Sequence, residues 1–153
     1  SAEADVSPGT ITYHFDTIDA LLSDAFRLYM ADYEVGLVEA LEAKPLRSSH
    51  DIVQFLMMLI ATSPERADLA RIEYAMIAYA QRDELLQQEV AAWAELLPAQ
   101  FYEALRRLGD QYPDMSASRL VRYCRGIEFD VLSRGLSVDL VEVEGELLSL
   151  LDF

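Results

Sequence analysis

The chain has 153 residues, of which 52% are apolar and 25% charged, with only six glycines and five prolines. This length allows one or two domains with a sizeable core, and the composition excludes a disordered or collagen-like chain. The formal net charge of −15 disfavours phosphate-rich partners on bulk electrostatics alone.

The first predicted elements are a short helix, a tight turn and the start of a long helix, between Ser7 and Leu22. Ser7 is a favourable N-cap, and Pro8 occupies the first helical position, where an N–H is not needed. Thr17 is a second N-cap, and Asp19 follows in the first turn of the next helix. This pattern predicts two helices joined by a turn.

The sequence Pro8-Gly9-Thr10, followed by Tyr13-His14-Phe15, resembles the recognition helix of the tetracycline-repressor (TetR) family of transcription regulators. The resemblance extends from about residue 2 to residue 22. It implies an all-α fold, with a helix-turn-helix DNA-binding head and a helical body for ligand binding and dimerisation. The first helix of such a head would lie upstream, so we expect the head in this chain to be incomplete.

The resemblance also implies where DNA is contacted. A recognition helix enters the major groove and places side chains on base edges. Thr10 can offer a hydroxyl or methyl group to a base, and Tyr13 and His14 can reach bases or phosphates; otherwise Tyr13 is a core residue and His14 a solvated one. The predicted DNA-binding residues are Ser7, Thr10, Thr12, Tyr13, His14 and Thr17.

Two positions depart from the family pattern. Thr12 and Ile18 stand where the family usually has a tyrosine and a lysine that contact phosphates. Residues 1–33 contain one basic residue, Arg27, against six acidic ones. The sequence therefore leaves open a second interpretation, a helical small-molecule-binding or protein-interaction module on the same fold with weak or lost operator binding.

The rest of the chain is predicted to be helical, without strands or repeats. A long helix over Ile18–Ala43 ends before Pro45, which disfavours helix at the preceding residue. The helix that follows has apolar side chains all round, which predicts a central, buried position. The further helices are predicted over Ile52–Ser63, from Pro64 to Tyr79 or Gln81, over Asp83–Leu108 with a kink or break at Pro98, over Ser116–Arg134 and over Val138–Leu151.

These elements divide into two predicted domains. Residues 1–44 hold the C-terminal part of the head and the connecting helix, and residues 45–153 hold the ligand-binding and dimerisation domain. The family resemblance implies a ligand-responsive repressor that binds a palindromic operator as a homodimer.

Two acidic residues, Glu73 and Glu128, fall on the apolar faces of their predicted helices. A buried carboxylate is costly unless it is paired or hydrogen-bonded. The pair predicts a polar cavity for an unknown small-molecule effector that is cationic or hydrogen-bonding. The alternatives are an ion pair with Arg66, Arg122 or Arg125, or a place at a dimer seam. Met and aromatic side chains at helical spacing are also typical of plain core. The predicted ligand-binding residues are Phe55, Met58, Glu73, Met76, Ile77, Trp93, Leu97, Phe101, Cys124 and Glu128.

A dimer surface is predicted near the C-terminus. Phe129 points away from the apolar arc of its own helix, which fits a helix with a second buried face. The resemblance implies that the last two helices form a two-fold interface. The predicted interface residues are Phe129, Leu140, Val143, Leu147 and Leu151.

Signatures of other function classes are missing from the sequence. The two histidines, His14 and His50, are far apart and lack metal-ligand spacing. Phosphate-binding glycine loops and nucleophile pairs are also missing, so neither an enzyme, a metal nor a cofactor is predicted. The most apolar stretch, Ile52–Thr62, is too short to span a membrane. The single cysteine excludes an internal disulfide and favours a reducing cytoplasm.

Overall fold

The computed structural model describes residues 17–60 and 62–151. These residues form seven α-helices and contain no strand, which confirms the predicted all-α fold. The helices are α1 (Ile18–Ala43), α2 (Ser49–Leu59), α3 (Pro64–Ala80), α4 (Glu84–Ala94), α5 (Leu96–Leu108), α6 (Pro113–Arg134) and α7 (Leu140–Ser149).

The predicted DNA-binding positions fall mostly outside the described residues. Ser7, Thr10, Thr12, Tyr13 and His14 all lie outside them. Thr17 lies inside, and its hydroxyl accepts a hydrogen bond from the Ala20 amide at 3.0 Å. Thr17 is therefore the N-cap of α1, as its sequence context predicts.

Side-chain caps also start the helices of the body. Ser48 accepts a hydrogen bond from the Asp51 amide at 3.1 Å and begins α2. Ser63 begins α3 in the same way, with Pro64 at the first helical position. Asp83 accepts from the Leu86 amide at 2.8 Å and begins α4. Each oxygen satisfies an amide that has no partner within its helix.

The break predicted at Pro98 is confirmed, while several helix boundaries differ from the prediction. Two helices replace the one predicted over Asp83–Leu108, and α5 begins at Leu96 so that Pro98 lies in its first turn. A proline in a continuous helix would clash with the carbonyl four residues earlier, and the first turn avoids that clash. The helix α2 ends at Leu59 rather than Ser63. The helix α6 begins at Pro113, and Ser116 is buried inside it rather than capping it.

Apolar side chains form two separate clusters. The first core joins the end of α1 to α2, α5, α6 and α7, and side chains exposed by no more than 1% fill its centre. They include Ile52, Leu56, Phe101, Leu105 and Leu147. The second core joins α1, α3 and α4 and consists of Met30, Met76, Ala80, Leu86, Val90 and Trp93.

The prediction that the helix from Ile52 is buried on every side is wrong. Ile52, Val53, Phe55 and Leu56 are buried, but Met58 is 45% exposed. The helix α2 therefore presents one face to the first core and the other to solvent.

Among the described residues, no helix combines the length and apolar character needed to cross a bilayer.

Candidate functional site: a polar cavity beside the first helix

Polar side chains from α1, α3 and α6 meet in a hydrogen-bonded group, here called the Arg125 cluster. One oxygen of Glu73 accepts from the Tyr29 hydroxyl at 2.8 Å, and the other accepts from Arg125 Nη1 at 2.8 Å. The same Nη1 donates to Glu128 at 2.9 Å, and the Tyr74 hydroxyl also donates to that Glu128 oxygen at 3.3 Å. The group defines the cluster: Tyr29, Glu73, Tyr74, Arg125 and Glu128.

This geometry confirms that the two acids on apolar helix faces are paired. Glu73 and Glu128 are each 8% exposed, and one guanidinium lies between them. Of the three arginines named as alternative partners, Arg125 is the one that binds both. A buried carboxylate is tolerated when a charge and hydrogen bonds compensate its desolvation, and both conditions hold here.

A cavity of about 90 Å³ lies against this cluster. Its walls come from five helices, α1, α2, α3, α5 and α6, so it lies where α1 packs against the body. At roughly 30 Å³ for each water molecule in the liquid, the volume suits about three waters. The lining residues are Tyr29, Tyr33, Leu56, Leu59, Arg66, Leu69, Ala70, Glu73, Leu97, Val121, Cys124, Arg125 and Glu128.

Burial determines the charge state of the groups around the cavity. It raises the pKa of Tyr33 to about 12 and that of Cys124 to about 12. Burial, together with the hydrogen bond to Glu73, also raises the pKa of Tyr29. Near neutral pH these three groups are therefore uncharged. Cys124 is a thiol rather than a reactive thiolate.

Arg125 remains charged despite its surroundings. Burial by itself lowers the pKa of the guanidinium, but the attraction of Glu128 and the hydrogen bond to Glu73 outweigh it, and the pKa is raised overall. The cluster thus holds a permanent cation between two carboxylates.

The cavity brings together four of the ten predicted ligand-binding residues, namely Glu73, Leu97, Cys124 and Glu128. The other six lie elsewhere. Phe55 and Phe101 pack edge to face in the first core with ring centroids 6.1 Å apart.

The remaining four predicted residues belong to the second core or to the surface. Met76 and Trp93 are buried in the second core, and Ile77 packs against it. Met58 is exposed to solvent. Helical periodicity identified an inward face for most of these residues, but it could not tell which of two cores that face meets.

Sequence reasoning did not place Tyr29, Tyr33, Arg66 or Tyr74 at the site. A signal for the first two was available, since a tyrosine on the apolar arc of a helix needs a partner for its hydroxyl when buried. For Arg66 there was no such signal beyond its mention as one possible partner of the acids.

The side chains of the predicted dimer stripe mostly pack inside the core of this chain. Val143, Leu147 and Leu151 are 6%, 0% and 5% exposed and belong to the first core. The reason is that α7 packs across α2, which covers this face. Of the predicted residues, Phe129 and Leu140 are exposed, by 64% and 46%.

Other apolar side chains are exposed in the last part of the described chain. They are Leu136, Val141 and Leu148, with exposures of 47%, 82% and 39%. Between α6 and α7 a groove of about 590 Å³ runs beside Phe129 and Leu136, with Arg122, Glu142 and Glu146 among its other lining residues. By helical periodicity, Val141 and Leu148 lie on the other side of α7 from Val143 and Leu147.

Comparison with known proteins bears on the same part of the chain. No curated protein and no solved structure matches the sequence. A family model described as the tetracyclin repressor-like C-terminal domain matches residues 47–152, a span that includes every helix of the body from α2 to α7. The chain therefore belongs to the tetracycline-repressor (TetR) family of transcription regulators.

Proposed function

We propose that the chain belongs to a ligand-responsive repressor that binds a palindromic operator as a homodimer. Residues 1–44 would carry part of the DNA-binding head and the connecting helix, and residues 45–153 the effector-binding and dimerisation domain. The observation that carries this proposal is the hydrogen bond from Tyr29 to Glu73. Through it, the helix that continues from the helix-turn-helix motif reaches the buried polar cavity.

The size of the cavity gives an effector a mechanical consequence. Ligand sites of drug-like size occupy roughly 300–1,000 Å³, several times the 90 Å³ found here. Binding of such a molecule must therefore displace a wall.

In this proposal α1 is the wall that moves. It packs into the second core and, through its C-terminal end, into the first core. Among the described residues, its side-chain hydrogen bonds to the body are those of Tyr29, of Arg27 to Glu89 at 2.8 Å, and of Tyr79 to Asp19 at 2.6 Å. An effector that binds better when α1 is displaced shifts the population towards that state. In a dimer, the displacement changes the spacing of the two heads and so the affinity for the operator.

The DNA-binding part of the proposal is tested with the full-length protein. Operator DNA is selected from a random duplex library, and its binding is measured across a salt titration. We expect sequence-specific binding that weakens as salt rises, because phosphate contacts release counterions. A protein that selects no sequence at any salt concentration contradicts the DNA-binding part.

The proposed dimer uses the exposed side chains of the last two helices. Phe129 lies beside the groove between α6 and α7, so two copies related by a two-fold axis can each place this ring against the other's groove. A two-fold interface uses the same patch on both copies.

Phe129→Glu tests this interface. Leu28→Glu is a matched control, because Leu28 is also 64% exposed but lies on α1. We expect sedimentation to give a dimer mass for the wild type and for Leu28→Glu, and a monomer mass for Phe129→Glu. A wild-type monomer, or a Phe129→Glu dimer of unchanged affinity, contradicts the proposed interface.

One observation favours a second candidate, a ligand-binding or interaction module with weak operator binding. Arg27 is the one basic residue in positions 1–33, and it is paired with Glu89 at 2.8 Å. It is therefore drawn towards the body rather than left free for phosphate. If the affinity for DNA hardly changes with salt concentration in the titration above, this second candidate is favoured.

A further inference from the structure

We infer that the cavity beside the Arg125 cluster takes a small carboxylate with a short apolar tail, its anionic group bound by Arg66. The inference rests on the proposed effector role of the cavity and specifies the chemistry of the effector. It replaces the cationic effector that the two acids by themselves suggest.

The two carboxylates at the cavity already share one cation. Both oxygens of Glu73 accept hydrogen bonds, one from Tyr29 and one from Arg125. Glu128 accepts from Arg125 and from Tyr74 through one oxygen, Oε2. A cationic ligand that took the place of Arg125 would leave that guanidinium partly buried without a counter-ion. Such an exchange is costly because it leaves a desolvated charge uncompensated.

Arg66 is in the opposite situation. It is partly buried and lines the cavity, and within residues 17–60 and 62–151 its side chain makes neither an ion pair nor a hydrogen bond. Its main-chain amide, by contrast, donates a hydrogen bond to the Ser63 hydroxyl oxygen at 3.2 Å. A guanidinium carries five N–H donors in a planar fork that matches the two oxygens of a carboxylate.

Tyr33 adds a further donor on the same cavity. Its hydroxyl makes no hydrogen bond within the described part of the chain, and burial keeps it protonated by raising its pKa to about 12. Arg66 and Tyr33 thus offer donors without acceptors. A ligand that supplies acceptors satisfies both, whereas an ammonium group supplies more donors.

The remaining wall selects for an apolar tail. It is formed by aliphatic side chains of α2, α3, α5 and α6, which offer no hydrogen bonds to a ligand. They are Leu56, Leu59, Leu69, Ala70, Leu97 and Val121. Because the cavity has only about 90 Å³, it holds a tail of a few carbons. A ligand that adds a carboxylate to such a tail therefore displaces the wall formed by α1.

Three probes with the same tail and different head groups test the inference: pentanoate, pentylammonium and 1-pentanol. Binding is measured by calorimetry and by the fluorescence of Trp93, which is the single tryptophan. Its ring packs against Tyr29 and Tyr33, with centroids 6.4 and 5.5 Å away, so it reports changes at the cavity wall. We expect pentanoate to bind about tenfold more tightly than either other probe, as one charge-assisted hydrogen bond allows.

Arg66→Met identifies the binding group. Arg71→Met is the matched control on the same helix, since Arg71 is exposed and pairs with Asp68 at 2.6 Å. We expect Arg66→Met to weaken pentanoate binding about tenfold and to leave 1-pentanol binding unchanged. The Arg71→Met variant should bind both as the wild type does.

The outcomes separate the ligand class from the proposed function. If pentylammonium or 1-pentanol binds more tightly than pentanoate, the ligand class is wrong and the effector cavity stands. If Arg66→Met binds pentanoate as the wild type does, the role of Arg66 is wrong. If none of the three probes binds, the carboxylate class and the effector role of this cavity both fail.

Discussion

The first core and the Arg125 cluster hold the same chain together by different means. The first core is apolar, and at its centre Phe101 and Leu147 are fully buried. The Arg125 cluster joins α1, α3 and α6 through charged and hydroxyl groups around a cavity. Close-packed apolar side chains have few alternative arrangements, whereas hydrogen-bonded groups can exchange partners with a ligand. The first core therefore fixes the shape of the body, and the Arg125 cluster is the region where the proposed effector would act.

Phe101→Ala removes the centre of the first core and should have the largest effect. We expect a loss of about 3–5 kcal/mol in the free energy of unfolding, because the vacated space cannot collapse fully. Urea unfolding measures it. Leu85→Ala, at a position 59% exposed, is the control and should change stability by less than about 0.5 kcal/mol. A loss as small at Phe101 as at Leu85 would mean that the first core is not close-packed.

Arg125→Met leaves two buried carboxylates without their cation. We expect a loss of about 3 kcal/mol near neutral pH. The loss arises because both acids are buried and share this single guanidinium.

Arg119→Met controls for the loss of an arginine on α6, because Arg119 is exposed. Urea unfolding of both variants is measured near neutral pH. A loss of stability in Arg125→Met no larger than that in Arg119→Met would show that the buried carboxylates do not depend on Arg125.

Tyr29→Phe removes the donor that ties α1 to Glu73. We expect a loss of about 2 kcal/mol, since the bond is to a charged, buried acceptor. Tyr79→Phe removes an exposed hydroxyl that also bonds to α1, through Asp19 at 2.6 Å, and should cost less than Tyr29→Phe does, because water can replace an exposed partner. Urea unfolding ranks the two. Equal losses would mean that the buried contact holds α1 no more firmly than the exposed one.

Tyr33→Phe should have the smallest effect on the free energy of unfolding near neutral pH. Its effect should become measurable only at high pH. The folded pKa of Tyr33 is about 12, against an ordinary value of 10.0. The folded state keeps this proton longer, so its contribution to stability is complete below pH 10 and is lost as the pH rises towards 12. The wild type should therefore lose up to about 1.4 kcal/mol more for each pH unit in that window than Tyr33→Phe does.

Unfolding measured between pH 9 and pH 12, from about one unit below the ordinary tyrosine value to about two units above it, tests this slope. Tyr112→Phe, at a position 56% exposed, controls for the loss of one tyrosine. Identical slopes in the wild type and in Tyr33→Phe would show that Tyr33 ionises equally easily in the folded and unfolded chain.

Local chemistry made the helices predictable. Thr17, Ser48, Ser63 and Asp83 cap helices with their own side-chain oxygens, and such contacts span only three residues. The resemblance at Pro8-Gly9-Thr10 identified a family that the match over residues 47–152 then confirmed. The acids Glu73 and Glu128 were recognisable as buried because each sits on an apolar helix face.

Only the tertiary structure decided what those faces meet. Val143 and Leu147 form an apolar stripe that suits either a partner chain or a neighbouring helix, and the packing of α7 across α2 settled it. Trp93 and Leu97 lie four residues apart on one predicted helix, yet the break before Leu96 sends one into the second core and the other to the cavity. Helical periodicity depends on neighbours three and four residues away, whereas Arg125 and Glu73 are 52 residues apart, and no local rule could pair them.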